Sequence, residues 1–425
     1  MPEGRLENLD VLRGVAILLI CIINVPEGMG STLLTHLGNV RLSGWETADA
    51  ATWYALHTFV EGTQRGLLQL LLGGSIILLT SRRAASIDAP STRLVLGRYA
   101  ALALFGAADI FLIGWYGDIL LEYSVAALIA VFFRKLPAKY LLSVGACYAL
   151  FVLAQGLVPE HRGHQGNAAS EAATTEIHAA AHPDRSAMPV PRVTSASKRT
   201  DPQIASFIAT ERAAHLSGPQ EYVTWASRFW RSLVLPNLFL PGIIASVFTI
   251  LIGMGLFKLG FTQGSMSRKL YIGTALVGYA IGLSLRGAGS NAVLAHADVP
   301  RIVAATAEIS RLALTLAYAA SITLLLQGRF GRVLRLLAPA GRTAFSLYLL
   351  QNFVFIFLVF NGGGLALFGQ FSWFGLTMIA LASLPIQVAC AILWMTRFDL
   401  GPMEWIWRSL VYRRVLPLRR KAMTQ

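Results

Sequence analysis

The chain has 425 residues, 55% of them hydrophobic, and a formal net charge of +14. Its mean hydropathy is +0.57, and several apolar runs reach the ~20 residues that span a bilayer, which excludes an ordinary soluble globular protein. Lys and Arg fall in short clusters between the apolar runs rather than in one block; that is the positive-inside pattern of a membrane protein, and it excludes nucleic acid as a partner.

The pattern predicts an all-α, polytopic transmembrane helical bundle of about ten spans with one long extracytoplasmic loop. The spans fall near 11–27, 60–80, 94–115, 117–134, 138–157, 236–257, 269–286, 302–326, 343–361 and 372–396. Residues 1–157 form an N-terminal five-helix part and 229–400 a C-terminal one. The loop at 158–228 separates them, and 401–425 is an interfacial basic and aromatic tail. The basic clusters, such as Arg82 with Arg83, Arg134 with Lys135, and Arg329 to Arg342, share one side if both termini are cytoplasmic. No small-x-small cleavage site follows the first run, so it reads as a retained helix. The two halves show no sequence repeat of the kind that marks many transporters. Cys21, Cys147 and Cys390 each sit in an apolar run and read as small core residues, without disulfide or zinc spacing.

In chain order, the first span carries Asp10, Arg13 and Asn24. Asp10 and Arg13 are three apart, and Asn24 returns to the same face eleven residues after Arg13, roughly three helical turns on. A polar stripe of this kind inside a membrane is expensive and suggests a functional path. The second span opens with His57, Glu61, Arg65 and Gln69, each four apart and so on one helical face. His57, held by Glu61, is a candidate general base. Its plainer role is a helix-end pair near the headgroups. The third-to-fourth connection carries Asp109, Asp118 and Glu122. Asp118 suits a helix N-cap. Glu122, one turn deeper, needs a cation beside it, and Arg65 or Arg311 is the candidate.

The first part of the long loop, to about residue 203, is rich in Ala, Ser, Thr, Pro and His and reads as mobile. Its His161, His164, His178 and His182 read as a solvated low-complexity tract rather than a metal site, since no Cys or carboxylate cluster joins them. The stretch Glu221 to Trp230 is amphipathic and is expected at the membrane interface. Further on, Glu308 and Arg311 are spaced as an ion pair. Arg342, Ser346, Tyr348, Gln351 and Asn352 line the start of the ninth span, where such groups bind a polar ligand or join neighbouring helices. The tail, from Gly401 through Glu404, Trp405, Trp407 and Arg408 to Tyr412, reads as an interfacial anchor.

Together these segments resemble the YeiB-like family of bacterial inner-membrane proteins. The resemblance rests on Arg5, Asp10, Arg13, Gly14 and Asn24 in the first span, Glu61-Gly62 and the Leu-rich stretch to Gly73, and the Gly117-Asp118 turn with Tyr123. It also rests on Gly253, Gly255 and Gly260, and on the Gly401 to Tyr412 tail. Thr63-Gln64 stand where the family pattern has Lys-Phe, and Asp109 lies where it carries a His shortly before the turn. The first-span motif is also similar to two groups of membrane acyltransferases. The acyltransferase-3 proteins have a His at the place of Asn24. The heparan-glucosamine acetyltransferase group has an Asn there, uses a His elsewhere, and takes acetyl from acetyl-coenzyme A to a sugar amine across the membrane.

The resemblance implies a multi-pass protein of the bacterial cytoplasmic membrane, surrounded by lipid, that moves an acyl group from a cytosolic thioester to an extracytoplasmic hydroxyl or amine. Acyl-coenzyme A would be the co-substrate, and a glycan or small molecule the acceptor. No bound cofactor and no metal are expected. In that reading His57 and Glu61 supply the base and Asn24 an oxyanion donor. Arg13, Arg98 and Arg342 meet the donor phosphates, and Asp10, Arg65, Gln69, Asp118, Glu122, Arg311, Gln351 and Asn352 line the path. The alternative readings are a permease or exporter of a small polar or anionic solute, and a non-enzymatic membrane subunit.

Overall fold

The computed structural model describes residues 3–32, 46–81, 92–158, 200–295 and 299–419. Among these residues there is no β-strand, only an isolated antiparallel bridge between Phe398 and Arg419. The four loop histidines from His161 to His182 lie outside the described residues.

Helix α1, Glu3–Asn24, continues through a wide π-helical turn, Val25–Met29. A short α2, Thr47–Ala55, opens with a Glu46/Asp49 capping box and also runs into a π-turn, Leu56–Val60. The chain breaks at Glu61 and Gly62, whose φ of 72° suits glycine. Helix α3, Thr63–Ser81, then crosses back. Next come α4, Thr92–Ala108, with its π-turn Asp109–Ile113; α5, Leu120–Ala130; and α6, Ala138–Leu157. Asp118 caps α5, its Oδ2 accepting from the Leu121 N–H at 2.7 Å, as its sequence position predicts.

Several of the later helices begin on prolines or capping serines, which tolerate or satisfy the free N–H groups of a first turn. Pro202 opens α7, Pro202–Ser217, and Pro219 opens α8, Pro219–Phe229. A π-helical stretch, Trp230–Phe239, leads into α9, Leu240–Leu259, which ends at Gly260. Ser267 caps α10, Arg268–Leu294. Then follow α11, Ala307–Gln327; α12, Ala344–Phe353; α13, Trp373–Arg397, capped by Ser372; and α14, Pro402–Tyr412.

Among the described residues, seven helices are long and apolar enough to cross a membrane, or eight if Gly331–Arg342 and Ala344–Phe360, bent by 72°, form one span. The chain is therefore a helical membrane protein. Two expected spans are present as helices but fall outside that number. Helix α3 carries Gln64, Arg65 and Gln69 in its first two turns, and the apolar stretch around α5 covers only Leu120–Phe133. Within the expected loop, helix begins at Pro202 and again at Pro219, from which it is continuous to Leu259 over 41 residues that include an apolar window long enough to cross a membrane. The amphipathic stretch at Glu221–Trp230 packs on protein, burying Tyr222, Trp225 and Phe229. Of the cysteines, only Cys21 is buried; Cys147 and Cys390 are exposed, facing away from the bundle core.

Helix α1 is the axis. Its first half packs Leu9, Val11, Leu12 and Ala16 into a core with α3, α5, α9 and α11. Its second half packs Ile17, Cys21, Val25 and Met29 into another core with α8, α12 and the 110–123 turn. Where α1 meets the 338–342 segment the backbones touch. A Cβ on Gly341 would overlap the Asp10 carbonyl, and one on Gly14 the Leu337 carbonyl. Small residues at such crossings let helices pack closely in a membrane.

Candidate functional site

The predicted polar residues form separate groups along α1 rather than one pocket. At the end away from the termini, His57 lies on the π-turn after α2. Its Nε2 is 3.1 Å from the Glu27 carboxylate, and its Nδ1 is 3.0 Å from the Trp53 carbonyl. The ring stacks on Trp53 at 4.0 Å. Burial opposes a charge on this ring. The hydrogen bond and charge of Glu27, then Glu61 and the Trp53 carbonyl, outweigh it, so His57 titrates above its ordinary value. The expectation that Glu61 holds His57 is therefore corrected: Glu27 does. The helix break at Glu61-Gly62 interrupts the four-residue stripe. Glu61 turns instead to Arg286, 4.0 Å away, with its side chain 46% exposed. Arg286 also donates to the carbonyls of His57 and Glu61. Asn24 is half-buried at the end of α1, one turn before Glu27.

Gly62 joins this group to a layer of charges below it. A Cβ there would lie 2.9 Å from Arg286 Nη2 and 3.3 Å from Arg311 Cδ. In that layer Arg65 pairs with Glu122 at 3.1 Å, so Arg65 is the cation that Glu122 needs. Glu122 also accepts from Ser246 Oγ at 2.5 Å, which accepts from Gln69 Nε2 at 2.6 Å. Arg311 donates to Gln69 Oε1 at 3.1 Å, to Thr249 Oγ1 at 2.8 Å and to Glu308. Four helices, α3, α5, α9 and α11, are tied by this chain of bonds. Its α9 members, Ser246 and Thr249, were not anticipated. A serine or threonine in an apolar helix is too common a pattern to single out.

Asp118 also meets Tyr348, whose hydroxyl donates to Oδ1 at 3.4 Å. Asp109 accepts from Asn352 Nδ2 at 2.7 Å, burying both residues completely or nearly so. Gln351 bonds Gln387 at 2.6 Å and the Ile17 carbonyl at 3.4 Å, joining α12 to α13 and α1. These groups take the helix-joining role. Thr63 and Gln64 are buried, and Thr63 Oγ1 and Gln64 Oε1 have no hydrogen-bond partner among the described residues.

At the end holding both termini, Asp10 pairs with Arg13 at 3.3 Å. Asp10 also lies within electrostatic reach of Arg342 and Arg408. Arg342 is exposed and donates to the Asp399 carbonyl at 3.4 Å. Arg98 is buried, its guanidinium 4.6 Å from the centre of the Trp407 ring. Helix α14, expected only as an interfacial anchor, thus docks into the bundle. Its Glu404 is buried and accepts from the N–H groups of Phe345 and Ser346 and from Ser346 Oγ. Burial raises the Glu404 carboxyl, and these bonds only partly reverse the effect. Arg408 was read from the sequence only as part of the interfacial tail, not as a site residue. Its signal was its spacing, four residues after Glu404. Among the described residues, no group of three or more His, Cys, Asp or Glu side chains could hold a metal ion.

A family model described as a protein of unknown function (DUF418) matches residues 256–414. YxaH of Bacillus subtilis is 26% identical over 99% of this chain and 98% of its own length. YeiB of Escherichia coli is 26% identical over 96% of this chain and 97% of its own length. The chain is similar to YeiB-like proteins throughout. A 39.9 kDa protein encoded beside an amylase in Bacillus acidopullulyticus is 32% identical over a shorter part, 24% of this chain and 29% of its own length. The YeiB-like resemblance read from the motifs thus extends over nearly the whole sequence. The DUF418 match holds Arg286, Glu308, Arg311, Arg342, Glu404 and Arg408, whereas α1 with Arg13, the turn after α2 with His57, and α3 with Arg65 lie outside it.

Proposed function

We propose that this protein is a membrane acyltransferase, moving an acyl group from a cytosolic thioester to a hydroxyl or amine outside the cytoplasm. The observation that carries this reading is that α1 connects an arginine-rich end, with Arg13 beside Arg98, Arg342 and Arg408, to a polar end with Glu27, His57 and Glu61. An anionic donor and a polar acceptor then approach from opposite faces. In this reading the chain crosses the bacterial inner membrane ten times, with the polar-headed α3 and the short α5 as two of the crossings and both termini cytoplasmic.

The chemistry needs a base for the acceptor and a donor for the developing oxyanion. His57 has both ring nitrogens against acceptors, Glu27 and the Trp53 carbonyl, so it suits holding a proton better than taking one. Glu61 is half exposed and only loosely paired, which makes it the better base. The acceptor oxygen or nitrogen attacks the thioester carbon, the C–S bond breaks, and the acceptor's proton passes through Glu61 to the departing thiolate. Asn24 and Arg65 are the candidate oxyanion donors.

The test is thermal unfolding of the full chain in detergent with acetyl-coenzyme A, dephospho-coenzyme A or ATP, followed by an acyl-transfer assay. The reading requires a saturable upward shift with the thioester, and transfer reduced at least 100-fold in Glu61→Gln, in line with typical base contributions of ~10²–10⁴. A well-folded protein that ignores the thioester but is stabilised by a small anion would instead be a permease.

A further inference from the structure

We propose a phosphate-binding site at the end of the bundle that holds both termini, formed by Arg98 and Arg408 together with Arg13 and Arg342. It deepens the donor side of the acyl-transfer reading and rests on that reading only in expecting a nucleotide thioester as the phosphate's source.

Three observations carry it. First, the arginines outnumber the carboxylates available to them. Of the four, only Arg13 has a carboxylate partner among the described residues, Asp10 at 3.3 Å. Glu404 stands one turn before Arg408, yet its oxygens are taken by the Phe345 and Ser346 N–H groups and the Ser346 hydroxyl. Second, Arg98 and Arg408 each keep a buried Nε without a hydrogen-bond partner among the described residues. Arg98 as a whole is 8% exposed. A buried cation without a counter-charge is costly, and an anion removes that cost. Third, the Arg98 guanidinium is held in place. It lies against Trp407, whose Nε1 donates to the Arg98 carbonyl at 2.8 Å. A fixed planar guanidinium fork matches a phosphate's oxygens in pairs.

Burial first and then the charge of Arg98 lower the proton affinity of the Arg408 guanidinium; Glu404 and Tyr412 partly offset this, and Arg13 adds to it. Exposure falls from Arg342 at the surface, through half-buried Arg13 and Arg408, to buried Arg98. Positive charge graded in this way attracts an anion. A phosphate on a soluble nucleotide and a phosphate on a lipid headgroup share the required chemistry.

The experiment titrates the full chain in detergent with coenzyme A, dephospho-coenzyme A and pyrophosphate by calorimetry, and with phosphatidylglycerol by native mass spectrometry. Arg98→Gln and Arg408→Gln should each weaken binding tenfold or more, about the loss of one charge-assisted pair. Arg342→Gln, at an exposed position that does not threaten folding, should weaken it about threefold. Arginine-dependent binding of coenzyme A supports the site, and if Glu61→Gln then leaves transfer intact only the choice of base fails. Arginine-dependent binding of phosphatidylglycerol alone supports the phosphate site and removes its link to an acyl donor. A folded protein that binds none of the four probes, or whose binding is unchanged in both Arg342→Gln and Arg408→Gln, overturns the proposal.

Discussion

His57 and His215 have opposite environments and should leave opposite marks on stability. His215, on α7, stacks on Phe368 at 3.6 Å and is pushed down to about 3 by burial. Its ordinary value is 6.5, so below that pH the unfolded chain takes up a proton that the folded chain refuses. The stability it contributes is complete above pH 6.5 and is lost as the pH falls toward 3. His57 is raised, so its pair with Glu27 contributes fully below 6.5 and the contribution is lost as the pH rises through the folded value. Unfolding midpoints measured from pH 4 to 9 should flatten on the acid side in His215→Phe and on the alkaline side in His57→Gln. Profiles parallel to the parent protein would contradict both assignments. Neither partner was legible in the sequence. Helical spacing pairs His57 with Glu61, and only the break at Gly62 and the fold of α1 against α2 bring Glu27 to it. By contrast the Glu308–Arg311 pair and the Asp118 cap depend on spacing within one helix or turn, so the sequence carried them.

At the scale of elements, the tightest constraint is the crossing of α1 with the 338–342 segment. No side chain fits between Gly341 and the Asp10 carbonyl. Gly341→Ala must therefore push the two segments apart, costing about 1–3 kcal/mol as an overpacking change. Gly273, on α10, has nothing within 4 Å of an added Cβ. Gly273→Ala should therefore leave the unfolding midpoint unchanged or raise it, by up to about 1 kcal/mol of helix propensity. Equal effects from the two substitutions would argue against this crossing as the tight point. A crossing of this kind was not readable from apolar periodicity, because nothing in the sequence around Gly14 or Gly341 shows which backbone each glycine meets. The π-turns were equally hidden. They carry Glu27, His57 and Asp109, and such turns recur at functional sites in helices. One extra residue in a turn rotates everything beyond it, so a strict helical wheel misplaces side chains at these ends.

For the whole molecule, the decisive feature is that the start of α1 and helix α14 share one end, where Asp10 lies within electrostatic reach of Arg408. A chain that begins and ends on one side of a membrane must cross it an even number of times. An even number is met by eight crossings, or by the ten we propose with α3 and α5 included. Helix α3 starts beside Arg286 and Arg311, at Gly62, and by Gly74 it reaches Phe257. Helix α5 starts at the Asp118 turn, and the chain beyond it reaches the Lys258 ammonium at the Arg134 carbonyl, 2.7 Å away. Both helices therefore run between the two polar ends, and where they meet, Arg65, its side chain 45% exposed, pairs with Glu122. Helix α3 falls short of a spanning hydropathy because Gln64, Arg65 and Gln69 sit in its first two turns, and α5 falls short because its apolar stretch covers only Leu120–Phe133. The expected outcome is that green fluorescent protein fused after Gln425 is fluorescent in a bacterial cytoplasm. A cysteine placed at Asp201, ahead of α7, should react with a membrane-impermeant maleimide added to intact cells, whereas one placed at Gln263 should react only after lysis. Labelling of both sites from outside would break the even-crossing topology and, with it, the separation of donor and acceptor faces.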